Sequence, residues 1–169
     1  MNVEDGTEDL VTRLRQDWAA EDPSLNSSAM DVVGRVLQLA HRWQAATDDL
    51  MAGFGLSYTE FDIIATIRRQ GEPYELTPTQ LSRSVLLTSG AMTAALSRIE
   101  KKGLITRRRS DTDGRVSSAR LTRKGARIAL LAARARFELA MQQIAPLPHK
   151  DRRAIESLLV TLLAPAQAG

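Results

Sequence analysis

Apolar residues recur at helical spacing over the first third of the chain. The first stripe predicts a helix over residues 7–20, and it consists of Leu10, Val11, Leu14 and Trp18. Beyond an Asp-Pro break, Ser27 or Ser28 can cap a long second helix that ends near Gly53. We therefore expect the chain to begin with two amphipathic helices.

Two more helices are predicted at the other end of the chain. Thr122 can cap a helix that runs to about Ile144, and a last amphipathic helix follows Pro148. Together, the helices of residues 1–54 and 122–164 carry more apolar surface than a small helical core would cover. A second copy of the chain is the expected cover, so we predict a homodimer held by these terminal helices.

The middle of the chain carries strong signals for helix starts. The segments Ser57-Tyr58-Thr59-Glu60 and Thr77-Pro78-Thr79-Gln80 both fit the capping box, in which a hydroxyl residue precedes Glu or Gln by three positions. Each of them predicts the start of a short helix. Thr88 can cap a third helix over residues 89–102, and Gly103 ends it.

The spacing of apolar residues changes after this third helix. Residues 104–107 and 116–121 are typical of short strands, and the turn-rich loop between them contains Asp113-Gly114. Short helices followed by a hairpin are arranged as in a winged helix-turn-helix. We predict a mainly α fold with a small β-hairpin wing, in which residues 57–121 form a DNA-binding lobe within a single domain over residues 1–169.

Charge is distributed unevenly along the chain. Residues 1–31 contain eight acidic and two basic side chains, whereas residues 98–127 contain eleven Lys or Arg against three acidic residues. A polyanion would be attracted by the second segment and repelled by the first. A basic run can also be a solvated face, but this one coincides with the third helix and the hairpin of the predicted lobe.

Candidate DNA contacts lie on the helix capped by Thr88 and on the hairpin. The first turn of this helix offers a hydroxyl group and backbone amides to phosphates, and the small residue Gly90 permits a close approach. Arg115, at the hairpin tip, can reach a minor groove. The candidate DNA-binding residues are Thr79, Thr88, Ser89, Gly90, Thr93, Ser97, Arg98, Arg108 and Arg115. The simpler alternatives are an ordinary core helix and a surface salt bridge at the tip.

Other classes of protein find little support. The chain has no cysteine and two widely spaced histidines, so we expect no disulfide and no metal site. It has no apolar run long enough to span a bilayer and no signal-like start, which predicts a cytoplasmic protein without a membrane segment. A catalytic cluster and a Gly-rich phosphate loop are also missing, so we expect neither an enzyme nor a cofactor.

The stretch over residues 76–125 resembles the MarR family of transcriptional regulators. The segments that match the family in order and spacing are Leu76-Thr77-Pro78-Thr79-Gln80-Leu81, Thr88-Ser89-Gly90-Ala91-Met92-Thr93, Arg98-Ile99-Glu100-Lys101-Lys102-Gly103-Leu104-Ile105, Asp113-Gly114-Arg115 and Leu121-Thr122-Arg123-Lys124-Gly125. The resemblance implies a homodimer of interlocked terminal helices. It also implies repression at a pseudo-palindromic operator on double-stranded DNA, relieved by a small phenolic or anionic effector.

The extra first helix with its tryptophan is similar to the urate-responsive branch of that family. The positions that match its ligand site are Trp18, Asp62, Thr93 and Arg107. Arg107 would neutralise an anionic purine such as urate or a phenolate, and Trp18 would stack on its ring. This branch commonly carries Asn-Arg where the present chain has Ala94-Ala95, which leaves a different or uncharged ligand open. Packing of Trp18 against the next helix is the simpler alternative.

A second function fits the same charge pattern. A helical protein-interaction module could use the basic hairpin to bind an acidic protein partner. Sequence-specific binding to duplex DNA with a two-fold repeat would distinguish the two functions.

Overall fold

The computed structural model describes residues 9–85, 87–109 and 116–164. The described chain contains seven helices and three strands in the order α1 (Leu10–Glu21), α2 (Met30–Ala52), α3 (Tyr58–Arg69), β1 (Glu75–Leu76), α4 (Pro78–Ser84), α5 (Ser89–Lys101), β2 (Ile105–Arg109), β3 (Val116–Leu121), α6 (Arg123–Gln143) and α7 (His149–Leu163). The chain divides into two compact units, residues 1–46 and residues 47–169, and the division falls within α2.

In the first unit, α1 is capped by a carboxylate. The side chain of Asp9 accepts hydrogen bonds from the backbone amides of Val11 and Thr12, at 2.9 and 3.2 Å, which satisfies two of the free amides at the helix start. The helix was predicted to begin at Thr7, which lies outside the described residues. Both amides donate to Oδ1 of Asp9, and the hydroxyl of Thr12 donates to Oδ2 at 3.2 Å, so each carboxylate oxygen is used at the helix start.

Ion pairs connect α1 to the start of α2. Arg35 lies 2.6 Å from Asp9 and 2.9 Å from Asp31, and Arg15 lies 2.5 Å from Asp31. These hydrogen-bonded guanidinium groups hold the pKa of both carboxyls below the usual value, against a smaller effect of burial. The predicted apolar stripe of α1 is largely exposed to solvent: Val11 is buried, whereas Trp18 is 55% exposed.

The second unit confirms the predicted helix starts. Ser57 and Glu60 form the first capping box, at the start of α3, and Thr77 and Gln80 form the second, at the start of α4. Thr88 accepts the backbone amide of Ala91 at the start of α5, as predicted. Because the capping residues are adjacent in sequence to the helices they start, local chemistry alone determines these boundaries.

The sheet has one more strand than the predicted hairpin. Its strand order is β1-β3-β2 and both pairings are antiparallel. Glu75 of the additional strand β1 pairs with Arg120 of β3, and the hydroxyl of Ser118 donates a 2.5 Å hydrogen bond to the Glu75 carboxylate. A two-residue strand has too few positions to show an alternating pattern, which is why it was missed.

The core of this unit lies between α3, α4, α5 and the sheet. Ile63, Ile64 and Ile67 of α3 are fully buried, as is Leu81 of α4. The apolar residues on the inward face of α5 are at most 2% exposed; they are Met92, Ala95, Leu96 and Ile99. This packing fixes which face of α5 remains available to a partner.

The start of α6 packs directly on the chain entering β2. Thr122 caps the helix through the amide of Gly125, and its own amide donates to the carbonyl of Leu104 at 3.0 Å. A Cβ at position 125 would overlap this same Leu104 carbonyl. No residue of α7 is buried over its whole described range. None of the described helices has both the length and the apolar character needed to cross a membrane.

We predict that Gly125→Ala lowers the free energy of unfolding by about 3 kcal/mol, since the methyl group would displace backbone rather than a flexible side chain. Gly90→Ala is the matched control, because Gly90 also lies in the first turn of a helix but has nothing within 4 Å of an added Cβ. The control should gain about 0.5 kcal/mol. Urea unfolding measures both; equal effects would contradict the close packing at Leu104.

Candidate nucleic-acid interface

Helix α5 has a buried face and an exposed polar face. Of the predicted DNA-binding residues, those exposed to solvent are Thr79, Thr88, Ser89, Gly90, Thr93, Arg98 and Arg108, whereas Ser97 is half-buried. Arg115 lies outside the described residues. The exposed residues of α5 are small or hydroxylic near the start of the helix, and Arg98 follows near its end. This face combines little steric bulk with hydrogen-bonding groups, which suits close contact with a groove.

Two hydroxyl groups on this face are turned toward their own helix. Thr93 Oγ1 donates to the carbonyl of Ser89 at 3.1 Å, and Ser97 Oγ donates to the carbonyl of Thr93 at 3.0 Å. Such bonds to the preceding turn use the hydroxyl proton and leave the oxygen as an acceptor. Donation to a base or a phosphate would therefore need the hydroxyl to rotate away from its own helix.

Arg107 of β2 ties the hairpin to α5. Its side chain is only 10% exposed, and it forms an ion pair with Glu100 through Nη2. Arg107 Nε also donates to Glu100 Oε2 at 2.7 Å, and Nη1 donates to Ser97 Oγ at 3.1 Å. This two-point hydrogen bonding fixes the plane of the guanidinium group. The link was missed from the sequence, although Ser97 and Glu100 share one face of α5 at i, i+3 spacing.

The four candidate ligand residues are distributed over both units. Trp18 belongs to the first unit, and the other three belong to the second. Thr93 and Arg107 are connected there, since Ser97 donates to the Thr93 carbonyl and accepts from Arg107. Asp62, on α3, is half-buried; burial raises the pKa of its carboxyl, and the charge of Arg69 opposes this effect. Across the described part of the chain, no group of His, Asp or Glu side chains could hold a metal ion.

Comparison with known proteins shows which proteins this chain is similar to. A family model described as the MarR family matches residues 54–116, which contain the described helices α3 to α5 and strand β2. The transcriptional regulator PecS of Dickeya dadantii is 28% identical over 149 residues, which cover 88% of this chain and 90% of that protein. Over residues 54–116, the chain is therefore similar to the MarR family.

Two further similarities agree with this resemblance. The transcriptional regulator MhqR of Bacillus subtilis is 36% identical over 72 residues, which cover 42% of this chain and 47% of that protein. The solved structure of the organohalide-sensing regulator RdhR-CbdbA1625 with 2,4-dichlorophenol bound is 19% identical, with a TM-score of 0.68, and covers 96% of this chain and 88% of that one. The structural similarity supports the predicted winged helix-turn-helix fold of this chain.

We predict that Arg107→Ala weakens DNA binding about 10-fold and lowers the free energy of unfolding by about 1–2 kcal/mol, because it removes charged hydrogen bonds from a nearly buried site. Arg108→Ala is the control, since the neighbouring strand residue points to the opposite face of the sheet and is exposed. The control should weaken DNA binding and leave the unfolding free energy unchanged within about 0.5 kcal/mol. Equal destabilisation of the two variants would contradict a stabilising role for the hydrogen bonds between Arg107 and α5.

Proposed function

We propose that this chain is a MarR-family transcriptional regulator, a homodimer that binds a pseudo-palindromic operator and represses transcription by occupying it. The observation that carries the proposal is the exposed polar face of α5, which is fixed in direction by the buried apolar face opposite. In a winged helix-turn-helix, the corresponding helix lies in the major groove. A dimer would present this face twice, about one DNA turn apart.

Specific roles follow for the residues on this surface. The start of α5, at Ser89 and Gly90, would approach a phosphate, since free amides and the helix dipole favour an anion there. Thr79 and Thr88 would contact the sugar-phosphate backbone of the DNA, and Thr93 and Ser97 would face base edges. Exposed Arg98 and Arg108 would neutralise phosphates, and Arg115 would enter the adjacent minor groove.

Dimerisation is supported by apolar surface that each unit leaves uncovered. In the second unit, Phe137 of α6 is 74% exposed and Leu163 of α7 is 82% exposed. The remaining large apolar residues of these two helices that are exposed are Leu131, Met141, Ile155, Leu158, Leu159, Val160 and Leu162. In the first unit, Val32, Val33 and Leu37 of α2 are also exposed. Apolar stripes of this extent are typical of an interface between subunits. The helices of residues 1–54 and 122–164 would form it.

The effector would act through Arg107. An anionic or phenolic ligand that binds the guanidinium group would compete with Glu100 and Ser97, and would thereby loosen the tie between β2 and α5. Trp18 would stack on the aromatic ring, and Asp62 and Thr93 would contribute polar contacts. The phenolic compound bound by RdhR-CbdbA1625 supports this class of ligand. Urate is a second candidate, because its anion carries the same kind of charge.

The function is tested by selecting duplexes from a randomised library with the full-length protein. We expect a two-fold repeat, bound by a dimer at least ~10³ times more tightly than a scrambled duplex at physiological salt. The logarithm of the binding constant should fall by about 0.9 per phosphate contact for each log unit of salt. A monomer in light scattering, with no preferred duplex and a flat salt response, would contradict the proposal and favour binding of an acidic protein partner.

The effector class is tested by fluorescence and DNA release together. The chain has two tryptophans, so Trp43→Phe leaves Trp18 as the reporter and Trp18→Phe is the matched control. We expect urate or 2,4-dichlorophenol to quench the Trp18 signal and to weaken operator binding, and neither compound to release DNA from Arg107→Ala protein at the same concentration. No response of fluorescence and DNA binding to either compound would rule out this ligand class.

A further inference from the structure

The C-terminal turn of α5 meets a buried carboxylate from another helix. Among the described residues, Glu60 of α3 is the only ionisable residue that is buried, and its side chain is 3% exposed. We propose that Glu60 is a positioning residue for DNA binding, which directs Arg98 and the end of α5 toward the operator. The proposal rests on the DNA-binding function proposed above and adds a residue that does not itself touch DNA.

Glu60 has three partners. Its Oε2 atom accepts the backbone amide of Ser57 at 2.9 Å and the ammonium group of Lys102 at 2.6 Å. Its Oε1 atom lies 3.5 Å from Nε of Arg98, an ion pair longer than a close hydrogen bond. Lys102 also donates to the carbonyl of Gly55 at 2.8 Å. The two cations are one helical turn apart, at the end of α5, so the carboxylate holds this end of the helix at two points.

A comparison within the chain separates this role from helix capping. At the start of α4, Gln80 occupies the same capping-box position as Glu60, and its amide oxygen accepts the backbone amide of Thr77 at 2.8 Å. Gln80 is exposed, whereas Glu60 is buried. Because a neutral amide suffices for the cap, the charge and the second oxygen of Glu60 serve the contacts with α5.

The carboxyl group is ionised in its buried position. Burial is the largest influence and would raise the pKa of Glu60, but the hydrogen bonds from Lys102 and the Ser57 amide, with the charges of Lys102 and Arg98, bring the pKa below its usual value. The group therefore carries its negative charge at neutral pH. Arg98 remains 54% exposed beside it, so one side of its guanidinium group can be anchored while another faces solvent.

An anchored arginine loses less rotamer entropy when it binds a phosphate than a free one does. Removal of the Glu60 charge should therefore weaken operator binding through Arg98, although one negative charge fewer near DNA would favour binding to any duplex. A positioning role thus predicts that operator affinity falls while affinity for scrambled duplex is unchanged or rises. A purely electrostatic role predicts that both affinities rise, and a purely structural role predicts that both fall.

The test uses full-length protein, the selected duplex and a scrambled duplex of equal length and composition. Glu60→Gln retains the capping oxygen and should lower the ratio of specific to non-specific affinity by about 3- to 10-fold. In the Arg98→Ala background the same substitution should leave this ratio unchanged, because the residue through which Glu60 acts is gone. Thermal unfolding of each variant records any loss of structure.

Three outcomes would overturn the proposal. They are an equal loss of specificity in the two backgrounds, a rise of both affinities, and a parallel fall of both affinities with the melting temperature. If Glu60→Gln does not fold, Glu60→Asp takes its place, since it keeps the charge but shortens the reach to Lys102 and Arg98 and should lower the ratio likewise. Failure of the wild-type protein to discriminate between the duplexes would instead contradict the proposed function, independently of Glu60.

Discussion

The surface proposed to meet DNA depends on the burial of one face of α5. Met92, Leu96 and Ile99 pack into the same core as the isoleucines of α3. Each fully buried apolar side chain of this size contributes about 1.5–3 kcal/mol through removal from water. With this face held in the core, the residues opposite it are committed to solvent in a fixed direction. The exposed polar face of α5 therefore has a fixed direction relative to the core, even though its area is small.

Two polar links complete the orientation of α5. Glu60 reaches its last turn from α3, and Arg107 reaches Ser97 and Glu100 from β2. All of these contacts fall on the second half of the helix, whereas the first half contributes the exposed Ser89, Gly90 and Thr93. The C-terminal half of α5 is thus held by contacts with α3 and β2, and its N-terminal half is exposed to solvent. An effector that disturbs either link would change the direction of the open end without unfolding the helix.

The sequence predicted the elements whose causes are local. The two capping boxes and the Thr88 cap depend on residues within one helical turn, and the structure confirms them. Strand β1 could not be predicted, because it depends on pairing with β3 more than forty positions away. The first helix was predicted from about Thr7, because the apolar stripe alone does not show that Asp9 caps the helix.

The same division between local and distant causes applies to the candidate site. The candidate DNA-binding residues of α5 are exposed in the structure, apart from Ser97, which is half-buried. The partners of Arg107 and Glu60 were not predicted, since they come from other elements and their approach is determined by packing. A buried Glu in a capping box, where Gln serves equally well, is a weak signal that sequence alone cannot separate from an ordinary cap. The wing tip with Arg115 lies outside the described residues and stays a prediction.

The central claim is that the exposed face of α5 lies in the major groove at two half-sites. Protection of guanine N7 atoms from methylation tests it most directly, because these atoms line the major groove. On the selected duplex, the account predicts two clusters of protected guanines about 10 base pairs apart, and loss of both clusters when a bulky side chain replaces Gly90. Continuous protection, a single cluster, or unchanged protection in the Gly90 variant would contradict the account.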